Sequence, residues 1–335
     1  MNVSIIVLTY NSAVHLEECL DSILDNKDKD DELIIIDNNS LDSTRKILNK
    51  YRNIADIYLL SNNLKISYAR NLGAKYAKND LLVFIDSDLV LDTNSLKKAK
   101  DSYIKKNASV LFGYYKEIGT GYDWYIEMTR DIFSPKRKNN FSKEIDYKNF
   151  ACLSGGLCLI NKNIFLNYNG FNVYYDNSPS EDIDLELKLI RDNKKIIYEK
   201  EFSGIHYKNY VSFNNLINKY KGNGIALSKL INSSIINKYK IPFNNRWPYL
   251  PIICLLELIL LILSLMFNYF IYVLLVVIVY RLYLIIIDRN YNVIYKIKFI
   301  IIRFLLDFVM LFFLIKSSIL QEKNNYKKSY DVKKI

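Results

Sequence analysis

The first 92 residues alternate short apolar runs with amphipathic helical stretches, and few folds accept that rhythm. Residues 3–8 (apolar but for Ser4), 33–36, 57–60 and 81–85 read as strands apolar at successive positions, as in a parallel sheet covered on both faces. Between them, residues 13–26, 43–51 and 68–77 have helical character. The first carries Val14, Leu16, Leu20, Ile23 and Leu24 at helical spacing, with Ser12 placed to cap it. This β-α-β-α-β-α-β order predicts an α/β fold with a right-handed, doubly wound, mostly parallel sheet. No glycine-rich loop follows the first strand, so neither the dinucleotide fingerprint nor a Walker-type phosphate loop is present.

Open α/β sheets bind ligands outside the carboxyl ends of their strands. There the chain places Asp86-Ser87-Asp88, directly after the fourth apolar run. Two close carboxylates can hold a hard divalent cation against substrate phosphates, which points to a nucleoside diphosphate donor. For so short a motif, a solvated turn is the alternative. Downstream, residues 110–116 and 157–160 read as strands, and residues 136–148 are polar and basic. Glu181-Asp182-Ile183-Asp184 opens a helix, and acids in a first turn suit the positive end of the helix dipole without any catalytic role.

The formal net charge of +11 would suit nucleic acid, but the lysines are dispersed among Tyr, Asn and Ile rather than gathered into a stripe. Attraction to anionic lipid accounts for the charge, and nucleic acid is not an expected partner. Cys19, Cys152, Cys158 and Cys254 have no zinc-like spacing and read as reduced structural residues of a cytosolic domain. No basic leader precedes the first strand, so no signal peptide is expected. Residues 214–240 are amphipathic and basic, like helices at a bilayer interface.

Residues 251–267 and 270–287 each approach the roughly 20 apolar residues that cross a bilayer, predicting a transmembrane hairpin with Glu257 and Arg281 as its charged exceptions. A third apolar run, 299–315, carries Arg303 and Asp307 at i, i+4 spacing, where they can pair. Basic flanks on both sides of this run favour two spans plus an interfacial helix over three spans. The expected organisation is a catalytic domain over 1–212, interfacial helices over 213–247, a membrane hairpin and third apolar helix over 248–320, and a basic tail over 321–335.

Seven blocks, in this order, resemble family 2 glycosyltransferases: Val3-Ser4-Ile5-Ile6-Val7-Leu8-Thr9-Tyr10-Asn11, Ile36-Asp37-Asn38-Asn39-Ser40, Ala69-Arg70-Asn71-Leu72-Gly73, Phe84-Ile85-Asp86-Ser87-Asp88, Ser154-Gly155-Gly156, Gly170-Phe171 and Glu181-Asp182-Ile183-Asp184-Leu185. The resemblance implies the GT-A fold, a single Rossmann-like α/β domain. It also implies donor-binding roles for Thr9, Tyr10, Asn11, Asp37 and Asn39 around the base and ribose, with Arg70 near the base or diphosphate. Asp86 would meet the ribose and, with Asp88 and His206, hold Mg²⁺ or Mn²⁺, which neutralises the departing nucleoside diphosphate. Asp182 would be the general base of an inverting displacement, with Glu181 raising its proton affinity by like-charge repulsion. A structural role is the alternative for His206, and His15 reads as an incidental surface residue of the first helix.

The chain departs from the family in three places. Lys65 replaces a glycine, Asn169-Gly170-Phe171-Asn172 replaces Gly-Gly-Phe-Asp, and Arg246-Trp247 lacks the glutamine of the processive motif. One sugar per encounter is therefore expected. The interfacial helices suggest a polyprenyl-linked acceptor beside membrane lipids, with the protein integral to the cell membrane and its catalytic domain cytoplasmic. A saccharide hydroxyl on the lipid carrier, in glycan or polysaccharide assembly, needs a base. A polyprenyl phosphate, the alternative acceptor, is already ionised and does not. A nucleotidyltransferase would carry a glycine-rich basic loop after strand one, and a non-catalytic membrane scaffold would have lost Asp88 or Asp182.

Overall fold

The computed structural model describes residues 1–122, 124–125, 142–145, 154–175, 180–210, 212–232, 259, 293–320 and 332–335. Strands β1 (Ser4–Thr9), β2 (Glu32–Asp37), β3 (Asp56–Leu60) and β4 (Leu81–Asp86) alternate with helices α1 (Leu16–Asn26), α2 (Thr44–Leu48) and α3 (Ile66–Tyr76). Side chains alternate across a pleated strand. Ile5 and Val7 therefore enter one core with Leu16, Leu20 and Ile23 of α1, while Ile6 enters the opposite core with Ala69 and Leu72 of α3. Two apolar faces per strand explain why these runs show no polar alternation.

These four strands are parallel in the order β3-β2-β1-β4. Thr9 is level with Asp37, and Leu8 with Asp86, so the three strand ends form one rim. The order reverses between β1 and β4, the switch point at which open α/β sheets bind ligands.

The chain continues through β5 (Leu89–Leu91), α4 (Ser95–Lys105), β6 (Val110–Gly121), β7 (Lys143–Ile145), β8 (Leu157–Asn161), α5 (Lys162–Asn167), a 3₁₀ turn (Val173–Tyr175), α6 (Glu181–Arg191) and β9 (Ile196–Tyr210). Here the expectation of a mostly parallel sheet is corrected. β8 runs antiparallel to β4, β6 to β8, β9 to β5 and β7 to β9, so the ten-stranded sheet of the described residues is mixed. The reason lies in the connections: past β4 the strict strand-helix alternation lapses, and an antiparallel return needs no βαβ crossover. It also starts β8 where β4 ends, which places the Gly155-Gly156 turn beside Asp86, whose N–H donates to the Gly156 carbonyl at 2.9 Å.

Smaller differences have local causes. The first helix begins at Leu16 rather than Ala13, and Ser12 does not cap it, because the Ser12 hydroxyl is engaged with Tyr10 and Ser87 instead. Lys65 has ordinary extended backbone (φ −67°, ψ 146°), so its loop does not require the family's glycine. Asn169 takes the left-handed region at φ 59°, which asparagine tolerates where a glycine is usual. Cys19 and Cys158 are buried free thiols. The tail contributes a last strand, β10 (Val332–Lys334), antiparallel to β3 and tied by Lys334 to Asp56 at 2.6 Å.

A second compact unit comprises residues Thr120–Asn139 and Asn209–Glu322. Within it α7 (Phe213–Asn232) packs on α8 (Val293–Leu320) around Tyr125, Leu216, Tyr220, Phe299, Leu306 and Met310. Arg303 and Asp307 pair as their spacing suggested, at 2.8 Å, and Arg303 donates to the Tyr220 hydroxyl at 2.9 Å. Among the described residues no helix is long and apolar enough to cross a membrane. In α8, Arg303 and Asp307 interrupt the third apolar run and Lys316 ends it. The C-terminal membrane helices expected from the sequence thus gain no support, and residues 251–258 and 260–287 of the proposed hairpin, like Arg246-Trp247, lie outside the described residues.

The two helices are in tight contact at Gly224, where a Cβ would strike the Met310 carbonyl of α8. Backbone cannot yield as a side chain does, so Gly224→Val should destabilise the pair by about 1–3 kcal/mol. Hydrogen exchange should quicken in α7 and α8 while β1–β4 remain protected.

Candidate functional site

The rim formed by β1, β2 and β4 is held by a buried carboxylate. Asp37, fully buried, accepts from the Thr9 hydroxyl at 3.1 Å, the Ser40 hydroxyl at 2.5 Å, the Ser40 N–H at 3.2 Å and Arg45 Nε at 2.8 Å. Asn39, in the left-handed region, accepts from Arg45 through its side chain at 3.1 Å. Asn11, also left-handed, donates its N–H to Ser40 and accepts from the Leu41 N–H at 2.9 Å. Tyr10 leaves its ring 47% exposed at this edge, free to lie against a planar base. Thr9, Tyr10, Asn11, Asp37 and Asn39 therefore share one rim, but Asp37 has no exposed surface and acts by fixing the loop around it. Arg45 was not singled out from sequence; its place in the first turn of the helix that follows the Asp37-Asn38-Asn39-Ser40 block was the available signal.

At the tip of β4, Asp86 and Asp88 meet His206 from β9. The pairing of Leu89 with His206 brings that histidine to the acidic turn. His206 Nε2 lies 2.8 Å from Asp88 Oδ1 and 3.8 Å from Asp86 Oδ2. One ligand atom from each of the three residues lies within 4.8 Å of the others, a spacing that fits a single cation. Two carboxylate oxygens and an imidazole suit Mn²⁺ or Mg²⁺. Gly156 makes the space: a Cβ there would collide with the Asp86 carboxylate.

Arg70, on α3, lies between this tip and the start of α6. It donates to Asp86 at 2.5 Å and to Glu181 at 3.1 Å, with its guanidinium 5.5 Å from the centre of the Phe171 ring. Asp182 accepts from the Gly155 N–H at 3.1 Å and the Ile183 N–H at 2.8 Å. Burial, reinforced by the charge of Asp182, pushes the Glu181 carboxyl up to about 7 despite its pairing with Arg70. Burial likewise raises Asp182 above the usual carboxylate range, against the hydrogen bond from Gly155. The site thus combines a cation-binding trio, a basic side chain and two acids of raised proton affinity. Phe171 and Gly155 belong to blocks read from sequence, but their contacts with Arg70 and Asp182 become visible only in three dimensions.

Residues 4–168 match the family described as Glycosyl transferase family 2. The UDP-Glc:alpha-D-GlcNAc-diphosphoundecaprenol beta-1,3-glucosyltransferase WfaP of Escherichia coli is 30% identical over 154 residues, covering 45% of this chain and 58% of that protein. The poly(ribitol-phosphate) beta-N-acetylglucosaminyltransferase TarP of Staphylococcus aureus is 29% identical over 230 residues, 66% of this chain and 68% of its own. The chain spans about half the length of several other curated relatives. The mannosyltransferase PcManGT from Pyrobaculum calidifontis, solved with GDP-Man and Mn²⁺, superimposes with a TM-score of 0.58 at 13% identity, over 96% of this chain and 88% of that one. At that identity the likeness is one of fold.

Gly156→Ala should push the Asp86 carboxylate out of the trio while preserving the buried strands. Mn²⁺ affinity measured by electron paramagnetic resonance should fall at least about tenfold, on the scale of perturbing a ligand's support, with little change in the far-ultraviolet spectrum.

Proposed function

Residues 4–168 belong to glycosyltransferase family 2, and from that premise we propose that the chain is a metal-dependent inverting glycosyltransferase. It moves one sugar from a nucleoside diphosphate donor, UDP being the nucleotide in the name of WfaP, to a hydroxyl of a lipid-linked saccharide. The observation carrying this reading is the meeting of Asp86, Asp88 and His206 in one cation-sized cluster while Arg70 connects Asp86 to the Glu181-Asp182 corner.

Thr9, Tyr10, Asn11 and Asn39 bind and orient the nucleoside at the switch point, on the loop that Asp37 fixes. A cation held by Asp86, Asp88 and His206 supplies charge neutralisation for the diphosphate. Arg70 adds a fixed positive charge beside the same phosphates, at no reorganisation cost during the reaction. Asp182 takes the proton of the acceptor hydroxyl as its oxygen bonds to the anomeric carbon. The bond from that carbon to the diphosphate oxygen breaks on the opposite face, and the electron pair leaves with the nucleoside diphosphate. One displacement inverts the anomeric configuration.

A carboxyl of raised proton affinity is a stronger base, which favours a hydroxyl over an already ionised polyprenyl phosphate as acceptor. WfaP is named for a saccharide carried on diphosphoundecaprenol and TarP for a poly(ribitol-phosphate) chain, both acceptors that offer hydroxyls.

Incubation with a panel of radiolabelled nucleotide sugars, followed by lipid extraction, tests the reading. Label should enter the lipid fraction and require Mn²⁺ or Mg²⁺. Asp182→Asn should lower kcat by about 10²- to 10⁴-fold, the usual weight of a general base, with Mn²⁺ affinity unchanged. Transfer that survives both Asp88→Ala and Asp182→Asn would overturn the assignment.

The Glu181-Asp182 pair also predicts a pH profile. The base must be ionised, and burial raises the proton affinity of Asp182, so kcat/KM should climb with pH over a range above that of an ordinary carboxyl. Glu181→Gln removes the neighbouring charge and should shift the rising limb to lower pH.

A further inference from the structure

We propose that the turn leading into α1 is the brace of the cation site, with His15 and Ser12 as positioning residues; the inference rests on the reading of Asp86, Asp88 and His206 as cation ligands. A metal-binding histidine is normally oriented by a hydrogen bond to its second ring nitrogen. His206 lacks that support among the described residues: its Nδ1 is buried without a hydrogen-bond partner. Its orientation has to come from packing and from the strand that carries it.

Both are supplied from nearby. The Tyr115 ring meets His206 edge-on, 4.7 Å away at 88°. Successive residues of a strand point to opposite faces, so Tyr207 projects away from the ligands, and there its ring stacks on His15 at 4.2 Å and 8°. The Tyr207 N–H in turn donates to the Asp88 carbonyl at 2.8 Å. His15, expected to be an incidental surface residue, thus clamps the strand segment that bears one cation ligand and is bonded to another.

Ser12 pins the turn from the other side. Its hydroxyl lies 2.8 Å from that of Ser87, between the two aspartates, and accepts from the Tyr10 N–H at 3.1 Å. The Ser12 N–H is itself held by Thr44 at 2.8 Å. One short segment therefore supports Ser87 directly and His206 through Tyr207, and neither His15 nor Ser12 belongs to the cation-ligand cluster.

The test measures Mn²⁺ affinity of the full chain by electron paramagnetic resonance, without nucleotide, together with the Mn²⁺ dependence of transfer. Loss of the ring stack in His15→Leu should weaken Mn²⁺ binding roughly three- to tenfold, the range of an aromatic pair. The concentration of Mn²⁺ giving half-maximal rate should rise in proportion, with kcat at saturating Mn²⁺ unchanged. His15→Phe, which keeps a ring, should restore the affinity, and Ser12→Ala should weaken it independently. Equal Mn²⁺ affinity in His15→Leu and the parent protein would overturn the proposal, as would a failure of His15→Phe to rescue in a folded protein. His206→Ala is the control: if it leaves Mn²⁺ binding intact, the cation-site reading itself fails, whereas its loss beside an unaffected His15→Leu defeats only the brace.

Discussion

Four carboxylates, those of Asp86, Asp88, Glu181 and Asp182, gather around one region of the sheet, and the buried guanidinium of Arg70 makes that gathering possible. Like charges in a poorly hydrated site repel strongly unless a counter-charge shares their environment. Arg70 is 9% exposed and reaches Asp86 on one side and Glu181 on the other, so it joins the end of β4 to the start of α6. Its helix is fixed by Ala69 and Leu72 in the core beneath, which gives the guanidinium little freedom to move. Burial outweighs this compensation, and the proton affinity of Glu181 and Asp182 rises as a result. The same bridge thus joins two elements of the fold at the point where these carboxyls sit.

Strand direction does the remaining assembly. Parallel β1, β2 and β4 end on one rim, which carries Thr9, Asp37 and Asp86. Antiparallel β8 and β9 bring back what a parallel sheet would have carried to the opposite end: the Gly155-Gly156 turn, which receives Asp86 and donates to Asp182, and His206, which faces Asp88. A mixed sheet is therefore what allows a carboxylate pair, an imidazole and a glycine turn to converge.

The sequence made the first half of the sheet readable because each strand is apolar on both faces and each helix repeats at its own period. Asp86 and Asp88 were legible at a strand end and Asp182 in a helix's first turn, whereas Arg70 was legible only through the family resemblance. Antiparallel β8 and β9 were not, since their apolar runs do not encode direction. Nor was the saturation of Asp37 by Thr9, Ser40 and Arg45, because Thr9 is distant in sequence and the segment from Ser40 to Arg45 has no period that would reveal where its side chains turn. His15 looked incidental for the same reason, its partner Tyr207 being a strand from the far end of the domain. The tail, basic by composition, supplies β10 through only a few residues, too short a run to announce a strand.

Crystals grown with Mn²⁺ and UDP, with anomalous scattering recorded at the manganese edge, examine the central claim most directly. The account predicts one strong peak coordinated by Asp88 and His206, beside the UDP diphosphate, with the Asp182 carboxylate facing the same cleft. Manganese bound away from those two residues, or an Asp182 opening onto a different cleft from the diphosphate, would contradict it.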